Sequence, residues 1–151
     1  MGTVAELLTS MQQVDISAIT VRVIEATGDK YLDINRSQMM EGKGRDRNIG
    51  RYSQSKLGRT YAKIKNNMNP DAGLGNVDLR LTGSFQDKMM LIVTGNDIEI
   101  DSTDEKAPDL LAKYGGQIYG LNSKNHPVYN ETVFLPAFID EIERITGLRL
   151  N

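Results

Sequence analysis

The chain has 151 residues, 39% hydrophobic and 25% charged, with a formal net charge of −2. These values fit one globular domain over residues 1–151 and exclude whole-molecule attraction to nucleic acid. There is no cysteine and a single histidine, His126, which excludes a disulfide framework and a thiolate metal site. A chain of this length buries roughly 70% of its unfolded surface, so a real core is expected. No apolar stretch approaches the ~20 residues of a membrane span. The start lacks the charged-then-apolar pattern of a signal peptide, and no membrane partner is expected.

Thr3 and Glu6 form a Thr-x-x-Glu capping box, and Val4, Leu7, Leu8 and Met11 recur at helical spacing, predicting a short amphipathic helix over 4–13. Asp15 is the expected N-cap of a second helix. Its stripe runs through Ile16, Ile19, Val23 and Ala26, widened by Val21 and Ile24, and Tyr31, Ile34 and Met39 carry it to about residue 40. Gly28 argues against it, because an interior glycine costs about 1 kcal/mol relative to alanine. Residues 41–55 hold three glycines and no apolar period, the pattern of a mobile basic loop. A helical segment over Lys56–Asn67 follows, with Leu57, Tyr61 and Ile64 on one face, and Asn69–Gly73 breaks it.

Val77, Leu79 and Leu81 alternate with Asp78, Arg80 and Thr82, which predicts a half-buried strand interrupted at Thr82-Gly83-Ser84. Phe85–Asp87 reads as a single helical turn. Met89–Thr94 and Ile98–Ser102 flank Gly95-Asn96-Asp97, a hairpin signal. Asp104 is the expected cap of a helix carrying Leu110 and Leu111 and stopped at Gly115-Gly116. Glu131–Thr146 is the last helix, with Val133, Phe134, Phe138, Ile142 and Ile145 on its apolar face, Pro136 bending it or sitting in its first turn, and Gly147 ending it. The fold class is α+β: N-terminal helices, a small antiparallel sheet with a hairpin, and a C-terminal helix packed on the sheet.

Charge is unevenly placed. Nine of the 18 basic residues, against the acids Glu41 and Asp46, lie between Arg36 and Lys65; six acids against Lys106 lie between Asp97 and Asp109. Such segregation points to contact with charged surfaces or head-to-tail self-association. The candidate interface residues are Arg45, Arg47, Arg51, Tyr52, Lys56 and Arg59 on the basic side, and Asp97, Glu99 and Asp101 on the acidic side. Those three carboxylates sit at period two and share one strand face, which is either a cation site or the wet face of a hairpin. Gly42, Gly44 and Gly50 lie among cations, but the Gly-x-x-x-x-Gly-Lys-Ser/Thr phosphate loop is absent. Nonspecific phosphate contact by the basic residues is the more credible reading. No Gly-x-Ser-x-Gly, His-Glu-x-x-His or Gly-x-Gly-x-x-Gly occurs, so neither an enzyme nor a cofactor is expected.

Three patterns recur in a set order: LRLTGSF at Leu79–Phe85, LLAKYGGQIYGL at Leu110–Leu121 and VFLPAF at Val133–Phe138. Together with Gly50-Arg51-Tyr52-Ser53 and the Lys-rich segment 56–65, they resemble the tail-completion and virion-morphogenesis proteins of tailed bacteriophages over about residues 41–147. The residues that match that pattern are Leu81, Thr82, Gly83 and Phe85, then Tyr114, Gly115 and Gly116, then Phe134 and Pro136. Where such proteins often carry Glu-Phe-Gly-Thr, this chain has Lys113-Tyr114-Gly115-Gly116, and its 118–129 stretch is longer. The resemblance implies a structural protein of the head–tail junction, connector or neck. It would form a cyclic homo-oligomer around the DNA channel, beside other neck or tail proteins. Its location would be the virion, after assembly in the host cytoplasm. The alternative is a nucleic-acid-binding accessory protein using segment 36–65.

Overall fold

The computed structural model describes residues 3–12, 14–80, 83–95 and 97–150, with no account of the Leu7 side chain. Helix α1 spans Val4–Gln12 and opens on the expected capping box: Thr3 N–H donates to Glu6 Oε2 at 2.6 Å and Glu6 N–H to Thr3 Oγ1 at 3.2 Å. Asp15 caps α2, Ile16–Met40, through Ala18 N–H at 3.0 Å. At 25 residues, α2 is about 37 Å long and forms the spine of the molecule. Its buried stripe runs through Ile19, Val23, Thr27, Leu32, Asn35 and Met39, while Ile16 and Ala26 are exposed. Gly28 lies on the buried side, and a Cβ there would meet Leu91 at 3.8 Å, an ordinary contact.

Segment 41–55 has no regular period, but it is tied down. Ile49 is buried, Ile49 N–H donates to Gly42 O at 3.0 Å, Lys43 and Asn48 form an antiparallel backbone bridge, and Arg45 N–H donates to Gln117 O at 2.6 Å. Its glycines serve packing rather than a phosphate cradle. Gly42 has φ 73°, and a Cβ on Gly44 would overlap the Gln117 side-chain amide. Helix α3, Lys56–Met68, is capped by Ser55 and followed by a 3-10 turn at Pro70–Ala72.

Of the strand expected over 77–82, the described residues 77–80 form none. Asp78 is buried beside Val77, and its carboxylate turns the chain by accepting the Arg80 N–H at 3.0 Å, which places Leu79 in the left-handed region at φ 58°. Leu81 and Thr82 lie outside the described residues. Gly83, at φ 88°, leads into the short helix α4, Ser84–Asp87. The hairpin is as expected: β1 (Met89–Thr94) and β2 (Asp97–Ser102) pair antiparallel, Met89 opposite Ser102 and Thr94 opposite Asp97, with Gly95 at φ 60° in the turn. Asn96 lies outside the described residues.

Helix α5, Ala107–Tyr114, ends at Gly115, φ 80°, and a 3-10 turn follows at Gly116–Ile118. The irregular stretch after it is clamped by two fully buried amides of α2. Gly120 N–H donates to Asn35 Oδ1 at 3.0 Å, Gln38 Nε2 donates to Gly120 O at 3.0 Å, and Asn122 N–H donates to Gln38 Oε1 at 2.8 Å. The last helix starts earlier than expected, as α6, Asn125–Tyr129, and passes through a π turn at Asn130–Phe134 into α7, Leu135–Thr146. Pro136 is the physical reason. It has no N–H and its ring crowds the carbonyl one turn back, and a widened turn relieves both.

Architecture is therefore α+β, with helices around a two-stranded sheet. The C-terminal helix reaches the sheet by way of α2, which packs against both β1 and α7 and is tied to α7 by Arg22 and Glu141 at 3.3 Å. The core gathers Leu32, Met39, Ile49, Val77, Phe85, Met89, Ala107, Ile118 and Tyr119 from separate segments.

Candidate functional site

A cleft of about 1010 Å³ opens between α3, residues 77–80 and 83–88, and α5. Its floor is apolar and aromatic: Tyr52, Tyr61, Leu79, Phe85, Leu110 and Tyr114. Tyr52 and Tyr61 meet edge to face at 5.1 Å. Leu57, 81% exposed, stands at its edge. The Tyr52 phenol is pushed well above its ordinary value, by burial first and by the Asp78 carboxylate next, so it stays a neutral donor across the physiological range.

Cations line this cleft from four parts of the chain: Arg51, Lys65, Arg80, Lys88, Lys106 and Lys113, against the acids Asp104 and Glu105. Three of them already have partners. Lys65, 4% exposed, pairs with Asp78 at 2.7 Å. Asp78 also accepts from Asn69 Nδ2 at 3.0 Å. Lys88 pairs with Asp104 at 3.5 Å. Arg51 donates to Asn76 Oδ1 at 3.1 Å. Among the described residues, Arg80, Lys106 and Lys113 make no ion pair, and the Lys113 ammonium lies 5.3 Å from the Tyr114 ring centre.

Of the residues expected on the basic side of the interface, Arg51 and Tyr52 line this cleft. Arg45 does not: it pairs with Asp46 at 3.2 Å and borders a second cleft of about 450 Å³ between the hairpin and α6. Arg47 lies near Gly115, and Lys56 and Arg59 are exposed on α3 outside the lining. Arg36 is structural, donating to Gln86 O at 2.8 Å. Arg80, Lys106 and Lys113 were not singled out from the sequence. Arg80 follows the Asp78 turn while Lys106 and Lys113 stand at the two ends of α5, and only the fold gathers them.

Asp97, Glu99 and Asp101 do share one exposed hairpin face, as period two requires. Across the ladder they stand opposite Thr94, Ile92 and Met90, so acids and exposed apolar side chains alternate on that face. Among the described residues, no three His, Cys, Asp or Glu side chains are grouped closely enough to hold a metal ion. Lys88 and Asp104, which flank the hairpin at its base, both line the basic cleft. The tip lies about 20 Å further out at the usual rise per residue.

The motif residues are spread over the fold. Gly83 and Gly115 take left-handed φ values at chain reversals, Phe85 lies in the core stacked 6.0 Å from Tyr119, and Tyr114 packs against that core. Gly116 opens the 3-10 turn. Phe134 stacks on Phe138 at 5.6 Å, and Pro136 is exposed near the start of α7. No helix among the described residues is long and apolar enough to cross a membrane. No family model, no curated protein and no solved structure matches the chain.

Proposed function

We propose that this chain is a structural component of a phage head–tail junction or of tail completion, assembling as a ring around the DNA channel. The observation that carries this reading is the polarity of its charge: unpaired cations at one cleft, carboxylates on a hairpin running away from it. Cyclic rings use heterologous interfaces, in which two different patches of one chain meet. A chain with a basic and an acidic patch on separate elements has both halves of such an interface. The ordered motifs from Leu79 to Phe138 support the same reading, because their glycines, aromatics and proline set backbone turns and packing rather than chemistry. The protein would act in the virion beside other neck or tail proteins, with no cofactor. Quantitative mass spectrometry of purified particles tests this. A low, fixed copy number consistent with one ring is expected; absence from intact particles contradicts it.

A second reading, an accessory protein that holds nucleic acid, is favoured by Arg51, Arg80, Lys106 and Lys113 lining the same cleft as Tyr52, Tyr61 and Tyr114. Phosphate contacts release counterions, so DNA retention on filters would fall steeply between about 50 and 200 mM salt. Little retention at either concentration removes this reading.

A further inference from the structure

We propose that the β1–β2 hairpin of one copy of this chain docks into the cation-rimmed cleft of a second copy. The inference rests on the ring reading and names the contact that would build it.

The two surfaces match in charge and in polarity. The cleft has an aromatic floor, an exposed Leu57 at its edge, and the unpaired cations Arg80, Lys106 and Lys113. The outer face of the hairpin presents Met90 and Ile92, 40% and 37% exposed, directly opposite Asp101 and Glu99, with Asp97 at the tip. A ribbon with acids on one strand and apolar side chains on the other meets an apolar floor and a basic rim with both groups used. Uncovered, these apolar side chains stay in water; covered, they leave it, which favours docking.

The hairpin of the same copy cannot fill the cleft. Its base is fixed at the cleft edge by Lys88 and Asp104, and Leu91 on its inner face packs on α2 against Gly28, while Ile98 nearer the tip of that face stays exposed. The outer face therefore points to another molecule. A polyanion such as DNA fits the rim cations but leaves Leu57, Met90 and Ile92 without a partner.

Two variants separate the halves. The cleft variant carries Arg80→Glu with Lys113→Glu; the hairpin variant carries Asp97→Lys with Glu99→Lys. All four residues are exposed, so both variants should melt close to wild type. If a reversed pair melts early, the neutral pairs Arg80→Gln with Lys113→Gln and Asp97→Asn with Glu99→Gln replace it. Each variant alone is expected to assemble about a hundredfold more weakly than wild type or worse. Mixed one to one, the reversed variants should regain assembly, because acid meets base at both contacts between unlike copies; the neutral pairs, mixed one to one, leave one intact hairpin for one intact cleft and should stop at twice the 16.8 kDa chain mass. A variant that assembles like wild type, or a mixture that stays monomeric, overturns the inference. So does a cleft variant that assembles normally but loses DNA retention, which would give the cleft to nucleic acid. Wild type that is monomeric at every concentration also overturns it, while the virion reading is then judged separately by copy number in particles.

Discussion

Asp78, buried behind the cleft, ties together three of the segments that shape it. It accepts from Lys65, Asn69 and the Arg80 N–H, and the turn it makes holds Leu79 in a conformation that costs an L-residue about 1–2 kcal/mol. Removing it strands a buried ammonium. Asp78→Ala is expected to lose about 3–5 kcal/mol in urea denaturation, and a loss under about 1 kcal/mol would contradict this role. None of it was legible in the sequence. Alternation in 77–82 assigns Asp78 to the wet side of a strand, and only the fold brings Lys65 of α3 against it. Asp104 makes a second residue-scale prediction. The Ser84 hydroxyl and then the Lys106 N–H hold its carboxyl below the ordinary range. A depressed folded value means that the contribution is complete above the unfolded pKa, about 3.9, and is lost as pH falls through the folded value. Asp104→Asn should flatten the acid limb of the melting curve below about pH 4; an unchanged limb would contradict it.

At the scale of elements, what was legible followed from local rules. The Thr3 box, the Asp15 cap, the 3.6 period of α2 and the Gly95 turn each depend on residues close together in sequence, and all four form where expected. What was missed depended on distant partners. Asn35 and Gln38 carry no local signal of a partner, yet they hold the backbone of 120–122, whose groups would otherwise be buried without partners. The C-terminal helix was expected from Glu131 with Pro136 bending it, and what was missed is its start at Asn125 and the π turn at Asn130–Phe134 by which the chain accommodates that proline. Gly28 was read as a weakness of α2, and it is one that can be repaired. Its helical backbone and the 3.8 Å clearance to Leu91 mean that Gly28→Ala should stabilise the protein by up to about 1 kcal/mol. A destabilised Gly28→Ala would show that β1 sits closer to α2 than described.

At the scale of the whole molecule, the uneven charge visible in the sequence becomes a geometry only after folding. Half of the expected basic segment turns out to be local or structural, and the unpaired cleft cations Arg80 and Lys113 come from motif segments whose signal lay in their apolar and glycine residues. The monomer also leaves apolar surface uncovered. Val4, Leu8 and Met11 of α1 are more than half exposed, and α7 buries none of its residues fully despite its apolar stripe. Both features fit a subunit completed by neighbours. Because the proposed contact pairs exposed charges, assembly should weaken as salt rises from about 0.05 to 0.5 M, where the screening length shrinks severalfold; assembly insensitive to salt would move the interface to the apolar faces of α1 and α7. The most direct measurement is the native mass of the purified wild-type chain across a concentration series. The account predicts one closed oligomer at a fixed integer multiple of 16.8 kDa, stable against further growth. A monomer at every concentration, or an open ladder that lengthens with concentration, would contradict it.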